Sequence, residues 1–211
     1  MRNTSDNAFS VQPKLARGGA VNTIRTKAAA VLLAALALMA TVGCSAGAPE
    51  EEELGLTVRP LNYTDVNLDE IFVDGIWVGG EARHGGGYSV AGSIGVPAKW
   101  RPGITVKVEW SDDPLYMKDP KASYSASVVI PPYQEKLPSS LWLQFYPGGR
   151  LAAVASSYVP GHPLFPGGLK SPVVACLDDP ACLAKFGDEA GRYSCITHPA
   201  CAAKFGKKWG L

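Results

Sequence analysis

The sequence predicts a mainly β protein: an antiparallel β-sandwich-like domain over residues 56–160, then a Pro/Gly loop and a short disulfide-stapled helical hairpin over 161–211. Three observations predict it. Short runs of alternating or continuous apolar residues, seven or eight of them, follow one another from Leu56 to Ser157 with no helical period. Glycine and proline punctuate these runs at strand spacing, a pattern that fits an antiparallel sandwich or barrel. Four of the five cysteines fall in the last 36 residues, inside a duplicated Cys-x₅-Cys motif.

Before the strands comes a leader. Ala28 to Gly43 is sixteen residues of apolar and small side chains, preceded by Arg25 and Lys27 and closed by Thr41-Val42-Gly43-Cys44. A membrane-spanning helix needs about 20 apolar residues, a signal h-region 7–15. Small residues directly before a cysteine settle the reading as a lipoprotein signal over residues 1–43, with Cys44 as the lipidated mature N-terminus. The acidic run Glu50–Glu53 beyond it would be a poor cytoplasmic flank for an uncleaved anchor. The first 27 residues are long for an n-region, and initiation at Val21 would give the compact VNTIRTK. Two or three acyl chains anchor stably where one binds only marginally, at about 0.8 kcal/mol per buried CH₂. Ser45 stands where aspartate commonly retains lipoproteins at the inner membrane, so the expected location is membrane-anchored and periplasm-facing, on the outer rather than the inner membrane. Residues 44–55 read as a flexible, acidic tether.

Removing 43 residues, with five basic and one acidic side chain, from 211 residues with 20 and 19 leaves 168 residues with 15 and 18, a balance of −3. No clustered basic surface speaks for nucleic acid as a partner. One core domain is expected at this length.

Leu56-Thr57-Val58 alternates into Pro60. Ile71–Val73 and Ile76–Val78 flank Asp74-Gly75, a pair suited to a type I′ hairpin, which needs positive φ at both centres. Tyr88–Val96 is a glycine-rich β-like run, and Trp100-Arg101-Pro102-Gly103 fits a type II turn. Ile104 to Trp110 alternates, with 104, 106, 108 and 110 on the apolar face. Ser123–Ile130, Leu141–Tyr146 and, past the Pro147-Gly148-Gly149 turn, Leu151–Ser157 complete the strands. Tyr158–Gly168 is too rich in proline and glycine for either element and reads as an ordered crossing loop.

In the tail, Cys176–Gly187 recurs as Cys195–Gly206 at an offset of 19, with eight of twelve positions identical. Asp179 or His198 stands at an N-cap, Pro180 or Pro199 at the first helical position, and Gly187 or Gly206 past the end. Two helices this short are unstable alone. The duplication favours Cys176–Cys182 and Cys195–Cys201 bridges, each worth about 2 kcal/mol by loop closure. Cys176–Cys201 with Cys182–Cys195 is the rival pairing. A Cys₄ zinc site is disfavoured by the five-residue spacing and an oxidising compartment. Cys-x-x-Cys, the redox-catalytic spacing, is absent.

His84-Gly85-Gly86-Gly87 and Ala91-Gly92-Ser93-Ile94-Gly95 imitate an oxyanion loop and a nucleophile elbow. An elbow must run from strand into helix, whereas Val96-Pro97 follows Ser93, so a glycine-rich hairpin is the better account. Asp112-Asp113-Pro114 and Asp178-Asp179-Pro180 are explained by turn initiation and capping. The glycine stretch 79–87 lacks the Lys and Ser/Thr of a phosphate cradle. Trp77, Trp100, Trp110 and Trp142 are expected mostly in the core, with one or two free to anchor a partner.

Asn62-Tyr63-Thr64, Phe72-Val73-Asp74-Gly75, Gly85–Gly87 with His84, Trp100-Arg101-Pro102-Gly103 leading to Val108-Glu109-Trp110, and Pro160-Gly161-His162-Pro163 together resemble a bacterial lipoprotein family catalogued as a domain of unknown function. Its members are often found beside type VI secretion phospholipase effectors. The resemblance implies a non-enzymatic binding module, an immunity protein that covers the secreted phospholipase, with no catalytic residues, no metal and no cofactor beyond the lipid on Cys44. Candidate contacts are His84, Trp100, Arg101 and His162, on loops 79–88, 99–103 and 158–168. The alternative is a structural or assembly lipoprotein of the envelope.

Overall fold

Two four-stranded sheets pack face to face in this computed structural model, which describes residues 52–88, 91–134 and 138–210. The expected lipoprotein signal, Cys44 and the start of the expected tether lie outside the described residues. The strands are β1 (Glu53–Asn62), β2 (Leu68–Val73), β3 (Ile76–Glu81), β4 (Ser93–Pro97), β5 (Thr105–Asp112), β6 (Tyr124–Val129), β7 (Ser140–Tyr146) and β8 (Arg150–Ser156). One sheet runs β4-β1-β7-β8 and the other β3-β2-β5-β6. Every pairing is antiparallel except β1 with β7, which the chain reaches only after crossing to the second sheet twice. β1 starts at Glu53, inside the expected tether, because Glu53–Thr57 finds a partner in β4.

The expected alternation sets the core. Leu56, Val58, Ile71, Val73, Val106, Val108, Leu141, Leu143 and Phe145 are buried between the sheets. Asp74 and Gly75 both take positive φ (49° and 80°), as the type I′ hairpin requires. Gly103 takes φ 89°, and Arg101-Pro102-Gly103 turns as expected. Trp110 and Trp142 are buried, whereas Trp77, near the β2–β3 turn, is half exposed.

The helices are α1 (Asp113–Lys118), α2 (Pro172–Asp178), α3 (Pro180–Phe186), α4 (Gly191–Thr197) and α5 (Pro199–Trp209). Asp112 caps α1 through a 2.9 Å bond from the Leu115 amide. The bridges are Cys176–Cys182 and Cys195–Cys201. Each repeat therefore ties two consecutive helices, α2 to α3 and α4 to α5, giving four helices where the punctuation alone suggests two. Asp179 caps α3 through the Ala181 amide, as expected. His198 departs from its expected role: it makes no capping bond and instead meets Asp178 Oδ1 at 2.9 Å. Gly206 lies inside α5, which ends at the left-handed Gly210 (φ 71°). No helix among the described residues is long and apolar enough to cross a membrane.

Candidate functional site

The outer face of the β1–β7 pair carries the site. β4 accompanies β1 only as far as Thr57. Beyond it the glycine-rich loop takes over the edge: the Gly87 amide donates to Pro60 O at 2.8 Å and the Asn62 amide to Gly85 O at 2.9 Å. The Val58 and Asn62 amides donate towards this edge, to Gly92 O and Gly85 O, so Pro60, which stands between them and has no N–H, costs β1 no bond to β7. Glycine is required here. A Cβ on Gly86 would lie 2.4 Å from Pro60 O, and one on Gly87 would press the Trp142 ring.

Asn62, fully buried, fastens the loop. Its Nδ2 donates to Val66 O (2.8 Å) and Ala82 O (3.1 Å), while its Oδ1 accepts from the Thr64 amide (2.9 Å) and Thr64 Oγ1 (2.7 Å). Both ends of the amide are satisfied, as burial demands. Below the loop, Arg59 donates to Ser140 Oγ and Gly87 O and lies over Trp142, which packs with Leu61 and Phe165. The crossing loop thus closes the outer face through Phe165, and Trp142 Nε1 donates to Ser156 O.

Against this loop docks the helical tail. Arg83 holds Glu189 with two 2.7 Å bonds and lies over Phe186. The His84 ring packs on Phe186 at 4.8 Å; its Nε2 lies 2.9 Å from Asp65 Oδ1 and 3.5 Å from Cys182 Sγ. Lys185 reaches the other Asp65 oxygen at 2.8 Å. The Lys185 hydrogen bond, with help from His84, holds the Asp65 carboxyl below its ordinary range. Tyr63 donates to Lys170 O at 2.7 Å and stacks on Tyr146; burial, and then Tyr146, push its phenol far above the usual range. Exposed ion pairs of this kind each contribute little. The buried Phe186 ring, packed on His84 and under Arg83, is the apolar contact of the junction.

Between loop and tail remains a cleft of about 460 Å³, lined by Trp142, His84, Tyr88, Val159, Cys176 and Phe186, among others. A second cavity of about 660 Å³ opens at the end of the sandwich beside Trp110, Tyr124 and Tyr146.

The four residues expected to meet a partner do not converge. His84 is only 12% exposed and is occupied by the tail, so its ring is a docking element of this fold. Trp100 is half-buried, its Nε1 donating to Ile130 O at 3.0 Å. Arg101 is exposed at the adjoining turn. His162 is exposed on the crossing loop, stacked on Tyr158 at 4.6 Å, with Nδ1 accepting from the Leu164 amide. Ser93 sits in β4 opposite Thr57, with strand after it and no helix, so the elbow geometry is missing. His84, Cys176 and Cys182 place three ligand-type atoms within 4.8 Å of one another, but the two sulfurs are bonded to each other. Asp65, Arg83, Phe186 and Glu189, which make the junction, are not legible as a set in the sequence. The one signal is that Arg83 adjoins the motif residue His84 and Phe186 belongs to the repeat.

Fold and junction together define a two-sheet β-sandwich whose glycine-rich loop carries a disulfide-bonded helical tail. The family described as "Protein of unknown function (DUF3304)" matches residues 61–153, so a DUF3304 domain spans the sandwich from the end of β1 into β8. The Cys-x₅-Cys tail lies beyond the match. No curated protein and no solved structure matches the chain.

Proposed function

We propose that this protein is a lipid-anchored, periplasm-facing binding module without enzymatic activity: an immunity protein that neutralises a phospholipase effector of type VI secretion by covering its active site. The leader ending in Cys44 and the two bridges in a chain with no Cys-x-x-Cys favour export to an oxidising compartment. The family resemblance supplies the partner class. The observation that carries the binding role is the crossing loop. It is anchored by buried Phe165, yet it presents Tyr158, Val159 and Leu164 exposed beside the cleft that Val159 and Pro160 line. A rigidly held apolar tip on a β scaffold is suited to a protein partner.

The test is a protection assay in cells deleted for the gene and challenged by a sibling strain that fires the neighbouring phospholipase effector. Killing prevented by the restored protein, and not by a Val159→Asp/Leu164→Asp variant of equal abundance, is the expected result. Equal survival with and without the protein would overturn the immunity reading in favour of a structural role in the envelope.

A further inference from the structure

The two bridges of the tail differ in what governs thiol exchange. Exchange proceeds by attack of a thiolate on one sulfur and departure of the other as a thiolate; access to the first and stabilisation of the second set the rate. Cys195 and Cys201 are both 0% exposed, and Cys201 Sγ faces the Gly187 carbonyl, which offers a departing thiolate nothing. At the other bridge, Cys176 is 6% exposed and lines the cleft, and the half-buried Cys182 turns its Sγ to His84 Nε2 at 3.5 Å. Asp65 keeps that ring in place, and an ionised carboxylate only accepts, so the proton sits on Nε2, facing Asp65 and Cys182 together. His84 is also one of two non-glycine described residues with positive φ (49°); the other, Asp74, is explained by its hairpin turn. Such backbone outliers collect at functional positions.

We propose that Cys176–Cys182 is a reactive disulfide, opened from the cleft by an incoming thiolate that attacks Cys176 Sγ and expels Cys182 as a thiolate met by His84 Nε2–H. The attack forms a bond between the incoming sulfur and Cys176 and breaks the bond to Cys182, whose sulfur takes the electron pair. Where the co-reactant is a dithiol, small or protein-borne, its second thiolate attacks its own sulfur in the mixed disulfide and releases Cys176. The dithiol leaves oxidised and the cysteine pair stays reduced, two electrons and two protons having passed. The bridge ties α2 to α3, and α3 carries Lys185 and Phe186 onto Asp65 and His84, so opening it loosens one wall of the cleft. The shape of the cleft is thereby set by the redox state of this one bridge.

The test is a time course of the full-length oxidised protein in dithiothreitol, quenched in acid and alkylated, with each cysteine pair scored by mass spectrometry. Cys176–Cys182 should open at least about tenfold faster than Cys195–Cys201. His84→Asn, chosen because asparagine tolerates positive φ, should slow the first pair about tenfold and leave the second unchanged. Asp65→Asn should slow it less, since that carboxylate only orients the ring. Glutathione, a monothiol, should leave its adduct on Cys176. Equal opening of the two pairs would overturn the proposal. So would an unchanged rate in His84→Asn, or an adduct confined to Cys182. If His84→Asn fails to fold, the comparison of the two pairs in the unaltered protein and the position of the adduct still decide.

Discussion

Copies one and two of the Cys-x₅-Cys motif agree at eight of twelve positions, yet they face different surroundings. In the first, Phe186 packs on His84 of the sandwich and its bridge borders the cleft. In the second, Cys195, Cys201 and Phe205 turn inward, onto Leu177, Leu183 and the Gly187 corner. The first copy joins the tail to the sandwich, and the second is the tail's own core. Duplication supplied two equal units; packing gave them unequal tasks.

Phe186→Ala should separate those tasks most sharply. Removing a buried aromatic costs about 3–5 kcal/mol, and here the loss falls on the junction. The tail should become sensitive to limited proteolysis while the sandwich keeps its β-sheet circular dichroism. Replacing Cys195 and Cys201 by alanine should cost about 3 kcal/mol, from loop closure and lost packing. The Cys176/Cys182 double replacement should cost about 2 kcal/mol. Denaturant titration of the tail would measure both, and the reverse order would contradict the division between inner and outer copy.

Gly187→Ala is the next step down. Its Cβ would stand 2.5 Å from the Phe205 ring and 2.6 Å from Leu183 O, so the two copies would have to move apart, at about 2 kcal/mol. Thermal unfolding of the variant reads that cost directly.

Acid should act on both copies, more gently. Asp65 is held low foremost by Lys185 at the junction, and Asp178 foremost by Lys170 and then His198 within the tail. A carboxyl depressed in the folded state adds stability that is present above its unfolded value, about 3.9, and is lost as pH falls through the folded value. Tail docking should therefore weaken below about pH 4. Asp65→Asn should remove part of that acid response at the junction, and proteolysis between pH 5 and 3 with an acid-tolerant protease would show it. Both carboxylates are exposed enough that each effect should be small.

Much of the molecule was readable from short range. Asp74-Gly75 needed only the twist of a hairpin, and the odd–even alternation from Val106 to Trp110 needed only the pleat. Asp179 declared itself a cap because its carboxylate reaches amides two and three residues ahead. The same local logic failed for His198 and Gly206. The His198 imidazole found Asp178 instead of its own helix, and Lys207-Lys208-Trp209 carried α5 past Gly206. After Gly187, by contrast, Glu189 is drawn out to Arg83. The site was less legible than the fold. His84 was recognisable as a motif residue, but its occupation by the tail was not.

By itself, then, the sequence determined the strand periods, the turns and the repeat that carries the bridges. These depend on neighbours within a few residues. Only the tertiary structure decided the parallel β1–β7 pairing, the passage of the glycine loop along the edge of β1, and the docking of the tail. Tyr63 bonds to Lys170 across 107 positions, Arg83 to Glu189 across 106 and Lys185 to Asp65 across 120. No periodicity specifies such contacts, because each is chosen by shape and charge after the sandwich has formed.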